Sequence, residues 1–175
     1  MSYLKYYNYY IENITLKKFR RFTMEYEIVN LKEKILVGLS ATTSNTSEDM
    51  GQVIGGLWEN FYKNGINEKL KNRVNDFSIG LYSDYAGENY LVTVGNEVSS
   101  EEDDKLIKNY NLTKKIIPAG KYARFSIRGN MVTAVAEAWQ QIWEMNLDRS
   151  FVADFEEYKN AEVDDAEIDI YVALK

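Results

Sequence analysis

An internal repeat constrains this chain more than any other feature. "LWENFYKN" around Trp58 and "AWQQIWEM" around Trp139 match in pattern, with Trp58 answering Trp139 and Tyr62 answering Trp143. Both stretches carry helical spacing. Met50, Val53, Ile54, Leu57 and Phe61 form one apolar stripe, opened by Ser47 as N-cap with Glu48 and Asp49 in the first turn, and stopped at Gly65. Met131, Val135, Ala138 and Ile142 form the other, which begins after Gly129 and Asn130. "KILVGLSATT" precedes the first helix and "KKIIPAGKYARFSIRG" the second. "DFSIGLYS" and "NYLVTVGNEV" follow the first, "FVADFEEY" and "AEIDIYVAL" the second. All are β-branched and aromatic segments of strand character. Each half therefore predicts strand, helix, strand, strand.

A helix laid on a small antiparallel sheet covers one sheet face and leaves the other free. The expected fold is α+β: duplicated β-α-β-β units related by a pseudo-two-fold axis, forming an antiparallel sheet with two main helices on one face and a ligand cleft on the other. The expected domain spans residues 24–175, with halves at about 24–99 and 111–175. "NEKLKNRVN" reads as a short helical insertion through Ile66, Leu70 and Val74, and "SSEEDDKLIKNYN" as an acidic, solvated bridge between the halves.

Composition narrows the chemistry. Among 175 residues there is no cysteine and no histidine, which excludes thiol nucleophiles, disulfides, the usual zinc ligand sets and every imidazole-based triad. Carboxylates, tyrosines, hydroxyls and lysines remain. Fourteen tyrosines suit a wall that is apolar and still hydrogen-bonds. Residues 1–23 carry Lys5, Lys17, Lys18, Arg20 and Arg21 against Glu12, a balance of +4, which leaves −10 for the rest of a chain whose net charge is −6. Such an acidic body repels phosphate backbones, so direct nucleic-acid binding by the main domain is not expected. No apolar run reaches the length of a membrane span and no signal-peptide pattern opens the chain, which predicts a cytoplasmic protein without membrane contact.

One charged position stands out. In "ADFEEY" near the end of the chain, Glu156 sits between Phe155 and Tyr158 inside an expected strand, where charge weakens pairing unless its face is wet or lines something. Alternation puts Phe155 and Glu157 on one side, and Asp154, Glu156 and Tyr158 on the other. The expectation is Phe155 under the helix, with Glu156 and Tyr158 on the opposite face. By alternation alone, that face is either simply solvated or the floor of the cleft.

From about residue 26 to 175 the chain resembles the GyrI-like small-molecule-binding domain, also known as the AraC-type effector-binding domain. The resemblance rests on "YEIVNLKEKILVGLS", "LWENFY", "NYLVTVGNEV", "IPAGKYARFSIRG", and "FEEY" followed by "EIDIYVAL", in that order and spacing. It implies a duplicated β-α-β-β fold with a central aromatic cleft, an acidic residue at its base, and binding of lipophilic and often cationic compounds. By motif that acid corresponds to Glu156 with Tyr158 beside it, and the aromatic walls to Trp58, Trp139 and Tyr90. At i, i+4 spacing, Trp139 and Trp143 also read as core. No cofactor and no metal are implied. The leading expectation is a stand-alone receptor, sensing or sequestering hydrophobic cationic molecules. One alternative is hydrolysis of small electrophilic compounds, with Glu156 as base and a tyrosine such as Tyr158 as orienting acid. Another is a protein partner, as for the inhibitor of DNA gyrase that gives the family its name. The cationic N-terminal stretch is too short for a helix-turn-helix domain and is expected to be a partly ordered appendage.

Overall fold

The computed structural model describes residues 24–99 and 104–175. The expected appendage at residues 1–23 lies outside the described residues. Eight strands are present among them: β1 (Glu27–Leu31), β2 (Lys34–Ser44), β3 (Arg73–Ala86), β4 (Asn89–Val98), β5 (Thr113–Ile117), β6 (Gly120–Gly129), β7 (Ala153–Tyr158) and β8 (Ala166–Ala173). Four helices accompany them: α1 (Met50–Lys63), α2 (Ile66–Lys69), α3 (Asp104–Tyr110) and α4 (Thr133–Glu144).

The strands form one antiparallel sheet in the order β1-β6-β8-β7-β3-β4-β2-β5. Its middle is palindromic. Read from the centre outward, β3, β4 and β2 of the first unit mirror β7, β8 and β6 of the second, as a two-fold axis between β3 and β7 requires. The strand ahead of each unit crosses to the other: β1 pairs with β6, and β5 with β2. The α+β class, the duplication and the antiparallel sheet are those predicted by the repeat.

Each helix covers its own half on one face of the sheet. Leu57 and Phe61 of α1 pack on Val37, Val92, Val94 and Val98, while Ala138 and Ile142 of α4 pack on Phe125, Ile168, Ile170 and Val172. On the opposite face a third cluster joins Leu36, Leu81, Ile117, Tyr122, Phe155 and Tyr171, with Val29 and Leu31 of β1 packed against it. Residues from both ends of the sheet, β1 and β5, share this cluster, so the sheet curls about it into a half-barrel. The helix-free face is thus filled by its own side chains. Phe155 lies there and not under a helix, and the side facing the helices carries Glu156.

Three local readings differ in detail. Ser47 does not cap α1: the N-cap is Asp49, which makes no side-chain capping bond, and the Ser47 hydroxyl donates to the Asp49 carboxylate. Gly65, with φ 59°, ends the α1 turn as expected and opens α2. Val74 belongs to β3 and not to the short helix, and the acidic bridge contains helix α3, whose Leu106, Ile107 and Tyr110 pack against the first core. Apolar residues on one side of a short helix overrode the charge run there. No helix among the described residues is long and apolar enough to cross a membrane.

Candidate functional site

Between α1 and α4, on the helix side of the sheet, lies a cleft of about 600 Å³, within the range of small-molecule sites. Each helix contributes a second stripe beside its core stripe. From α1 come Met50, Ile54 and Trp58 at four-residue spacing, and from α4 Val135, Trp139 and Trp143. The sheet supplies the floor through Tyr82, Glu156 and Tyr158, and the far end is built from Tyr85, Tyr90, Arg149 and Phe151.

Glu156 is 1% exposed. Its Oε1 accepts from Trp139 Nε1–H at 2.6 Å and from the Tyr82 hydroxyl at 2.9 Å, and its Oε2 from the Tyr158 hydroxyl at 2.8 Å. A carboxylate offers about four lone-pair positions, so one acceptor position, on Oε2, remains. The neighbouring strand lets Trp58 close over the carboxylate: Gly80 pairs with Glu156 in register, and a Cβ there would stand 3.2 Å from Trp58 Cζ2 and 3.5 Å from Glu156 Oε2. Trp58 meets Tyr158 edge-on at 4.9 Å, and Tyr82 meets Trp139 in the same manner at 5.9 Å. Glu156 therefore sits between two packed aromatic pairs.

Burial pushes the Glu156 carboxyl above its ordinary value of 4.5, against the opposing pull of the bonds from Trp139, Tyr158 and Tyr82. Burial, and then the charge of Glu156, push the Tyr82 hydroxyl well above 10, so it stays a donor. At the far end Tyr85 donates to Asp154 Oδ2 at 3.1 Å, and burial raises the Tyr85 hydroxyl too. Tyr90 donates to Asn45 Oδ1 at 2.7 Å.

All five residues singled out in the sequence, Glu156, Tyr158, Trp58, Trp139 and Tyr90, lie along this one cleft. The side of the sheet is the correction: the cleft opens between the helices, because the opposite face is closed by the curl. Trp139 is half-buried with its indole nitrogen on Glu156, and Trp143 is 54% exposed at the rim, so neither is plain core. Sequence reasoning missed Tyr82, Tyr85, Arg149 and Phe151. Tyr82 was within reach, since it alternates with Leu81 and follows Gly80 by two. Tyr85 was not: a register shift between Ser83 and Ala86, with Asp84 at φ 53°, returns it to the face of Tyr82 three residues earlier.

Residues 27–174 match the model of Cass2, the integron-associated effector binding protein family. The chain belongs to that family. It is a GyrI-like effector-binding domain, a small-molecule-binding fold. Among solved structures it is similar to the integron cassette protein VCH_CASS2 from the mobile metagenome of Vibrio cholerae, at 24% identity over 86% of this chain and 95% of that one, with a TM-score of 0.66. SAV2435, solved bound to tetraphenylphosphonium, is 19% identical over 87% of this chain and 94% of that one, with a TM-score of 0.72. The EcmrR C-terminal domain is 13% identical over 87% and 98%, with a TM-score of 0.53. At these identities the likeness is one of fold. Comparison with curated proteins gave no match.

Proposed function

We propose that this protein is a cytoplasmic receptor for aromatic, lipophilic cations, which it holds in the cleft between α1 and α4 with Glu156 as the counter-charge. A single observation carries the reading: a buried carboxylate at the floor of an aromatic cleft, with three donors committed to it and one acceptor position open. A charge so placed bears a desolvation cost that a cation offsets. Aromatic faces around it attract the same cation through their quadrupoles, each by about 0.5–2 kcal/mol. Trp58, Trp139, Tyr82 and Tyr158 supply these faces, and Tyr90 widens the apolar wall towards the far end. The similarity to SAV2435, solved with a lipophilic cation, supports the same ligand class. In this reading the protein senses or sequesters its ligand without chemistry.

Titration of the full chain with tetraphenylphosphonium tests it. The wild type is expected to bind stoichiometrically and return the cation unchanged, and Glu156→Gln, isosteric and able to keep the bonds from Tyr82 and Trp139, to lose at least about tenfold in affinity with the loss of the opposing charge. Equal affinity in both proteins would remove Glu156 from recognition.

A further inference from the structure

Arg149 is the one cationic side chain among the described residues lining the cleft. Its Nη2 donates to Asp154 Oδ2 at 2.5 Å. Asp154 is fully buried on β7 and already engaged: Oδ2 also accepts from Tyr85, and Oδ1 accepts from the Ala173 backbone N–H at 2.8 Å. The acid thus already accepts three bonds, while the guanidinium has donors to spare. A guanidinium carries five N–H donors, yet among the described residues Asp154 is the acceptor shown for Arg149, and its buried Nε has none. A buried Nε–H without an acceptor is costly, and the remaining guanidinium edge lies on a side chain that is 16% exposed at the cleft.

The neighbouring backbone adds a second observation. Phe151, two residues on, is held at φ 55°, in the left-handed region that a bulky side chain disfavours. That conformation lays its ring under the guanidinium, 4.4 Å from Cζ, and edge-on to Tyr85 at 6.0 Å. An ion pair serving only to staple this segment to β7 explains Nη2. It does not explain the unmatched donors or the strained aromatic, both at the edge of a ligand-sized cleft.

We infer that Arg149 and Phe151 form an acceptor-reading subsite, and that the ligand carries a carboxylate in addition to its cationic end. The inference rests on the cleft reading above and narrows it from lipophilic cations to aromatic zwitterions. The cationic pole takes the open position on Glu156, and the carboxylate takes the free edge of the Arg149 guanidinium, with the ligand's ring between Phe151 and Tyr85 at one end and Trp58 and Trp139 at the other. Asp154 and Glu156 are two residues apart on one strand face, about 7 Å, and Arg149 is bonded to the first. That spacing sets the scale, roughly, for the distance between the two poles of the ligand. Asp154 neutralises Arg149 at rest, so the guanidinium does not repel a cation seated at Glu156. A plain cation, however, covers the guanidinium without answering its donors. The other acid lining the cleft, Glu88, takes a bond from Thr46.

Rhodamine B, a zwitterion at neutral pH, and its cationic ethyl ester form a matched pair of probes. Fluorescence anisotropy on the full chain is expected to show the free acid binding at least about tenfold tighter than the ester. Arg149→Gln should bring the two dyes within about twofold of each other. Because that change leaves Asp154 buried without its counter-ion, the paired variant Arg149→Gln, Asp154→Asn replaces the ion pair by a neutral one and is expected to give the same loss of preference. Equal, tight binding of both dyes by the wild type overturns the Arg149 assignment and spares the cleft reading, as does a preference for the acid that survives in both variants. Weak binding of both dyes, unchanged in Glu156→Gln, overturns the cleft reading itself.

Discussion

Glu156 concentrates the chemistry of the protein in one carboxyl group, and its protonation is the quantity that a cation controls. Burial raises its pKa above 4.5, so the native state holds this proton more tightly than the unfolded chain does. Its contribution to stability is therefore complete at low pH and declines as pH rises from 4.5 through the raised native value. Denaturant titrations across that window should show the decline in the wild type and its absence in Glu156→Gln. Ligand binding follows the opposite slope. Tetraphenylphosphonium has a fixed charge and favours the ionised carboxylate, so its affinity should increase with pH over the same interval and each binding event should release a proton. Calorimetry in two buffers of different ionisation enthalpy measures that release, and identical heats in both would show that Glu156 does not change protonation on binding. Glu156 and Tyr158 were legible as a pair on one strand face, because alternation is a local property of the backbone. That Trp139 and Tyr82 bond the same carboxylate oxygen was not, because those contacts span 17 and 74 residues of chain.

At the level of elements, the apolar stripe of α1 divides into two functions that one helical period conceals. Leu57 and Phe61 face the sheet, while Met50, Ile54 and Trp58 face the cleft, about one residue's turn around the axis. A single wide apolar stripe is what the sequence displays, and only the position of the opposing helix determines which part meets a ligand. The strands carry a similar hidden demand. Gly38 of β2 and Gly95 of β4 face each other in register. A Cβ on Gly38 would fall 2.0 Å from the Val94 carbonyl oxygen and 2.6 Å from Gly95 Cα, and one on Gly95 would fall 2.2 Å from the Val37 carbonyl oxygen. The two backbones meet too closely there for any side chain, where the sheet curls. Gly38→Ala should destabilise the fold by about 1–3 kcal/mol or more, read as a lowered midpoint in urea. A midpoint equal to that of the wild type would mean that the curl relaxes freely at this crossing.

For the whole molecule, the decisive feature is that both faces of one sheet are occupied, in different ways. The helix-free face closes on itself around Phe155, Tyr122 and Leu81 because β1 and β5 each cross to the other unit and bring both edges inward. The helix face cannot close so completely, since two helices on two half-sheets leave a gap along the pseudo-two-fold axis, and that gap is the cleft. A ligand there bridges α1 and α4, and hence the two repeats. Saturation with tetraphenylphosphonium at a hundred times its dissociation constant should stabilise the protein by about 2.7 kcal/mol. Hydrogen exchange should slow in α1 and α4 together. Protection confined to one helix would place the ligand outside the cleft.

By itself, the sequence determined the repeat, the alternation of strands with two amphipathic helices, the absence of imidazole and thiol chemistry, and the acid with its neighbouring tyrosine. Each of these is a local or compositional property, written within a few residues of chain. Which side of the sheet that acid faces, what closes the opposite side, and how Arg149 and Tyr85 come to share its cleft were decided by tertiary structure alone. They depend on the curl of an eight-stranded sheet, on a bulge at Asp84 and on strands exchanged between halves. The physical reason is that burial is a property of the space between distant segments, and hydrophobic periodicity names the apolar face without naming its cover.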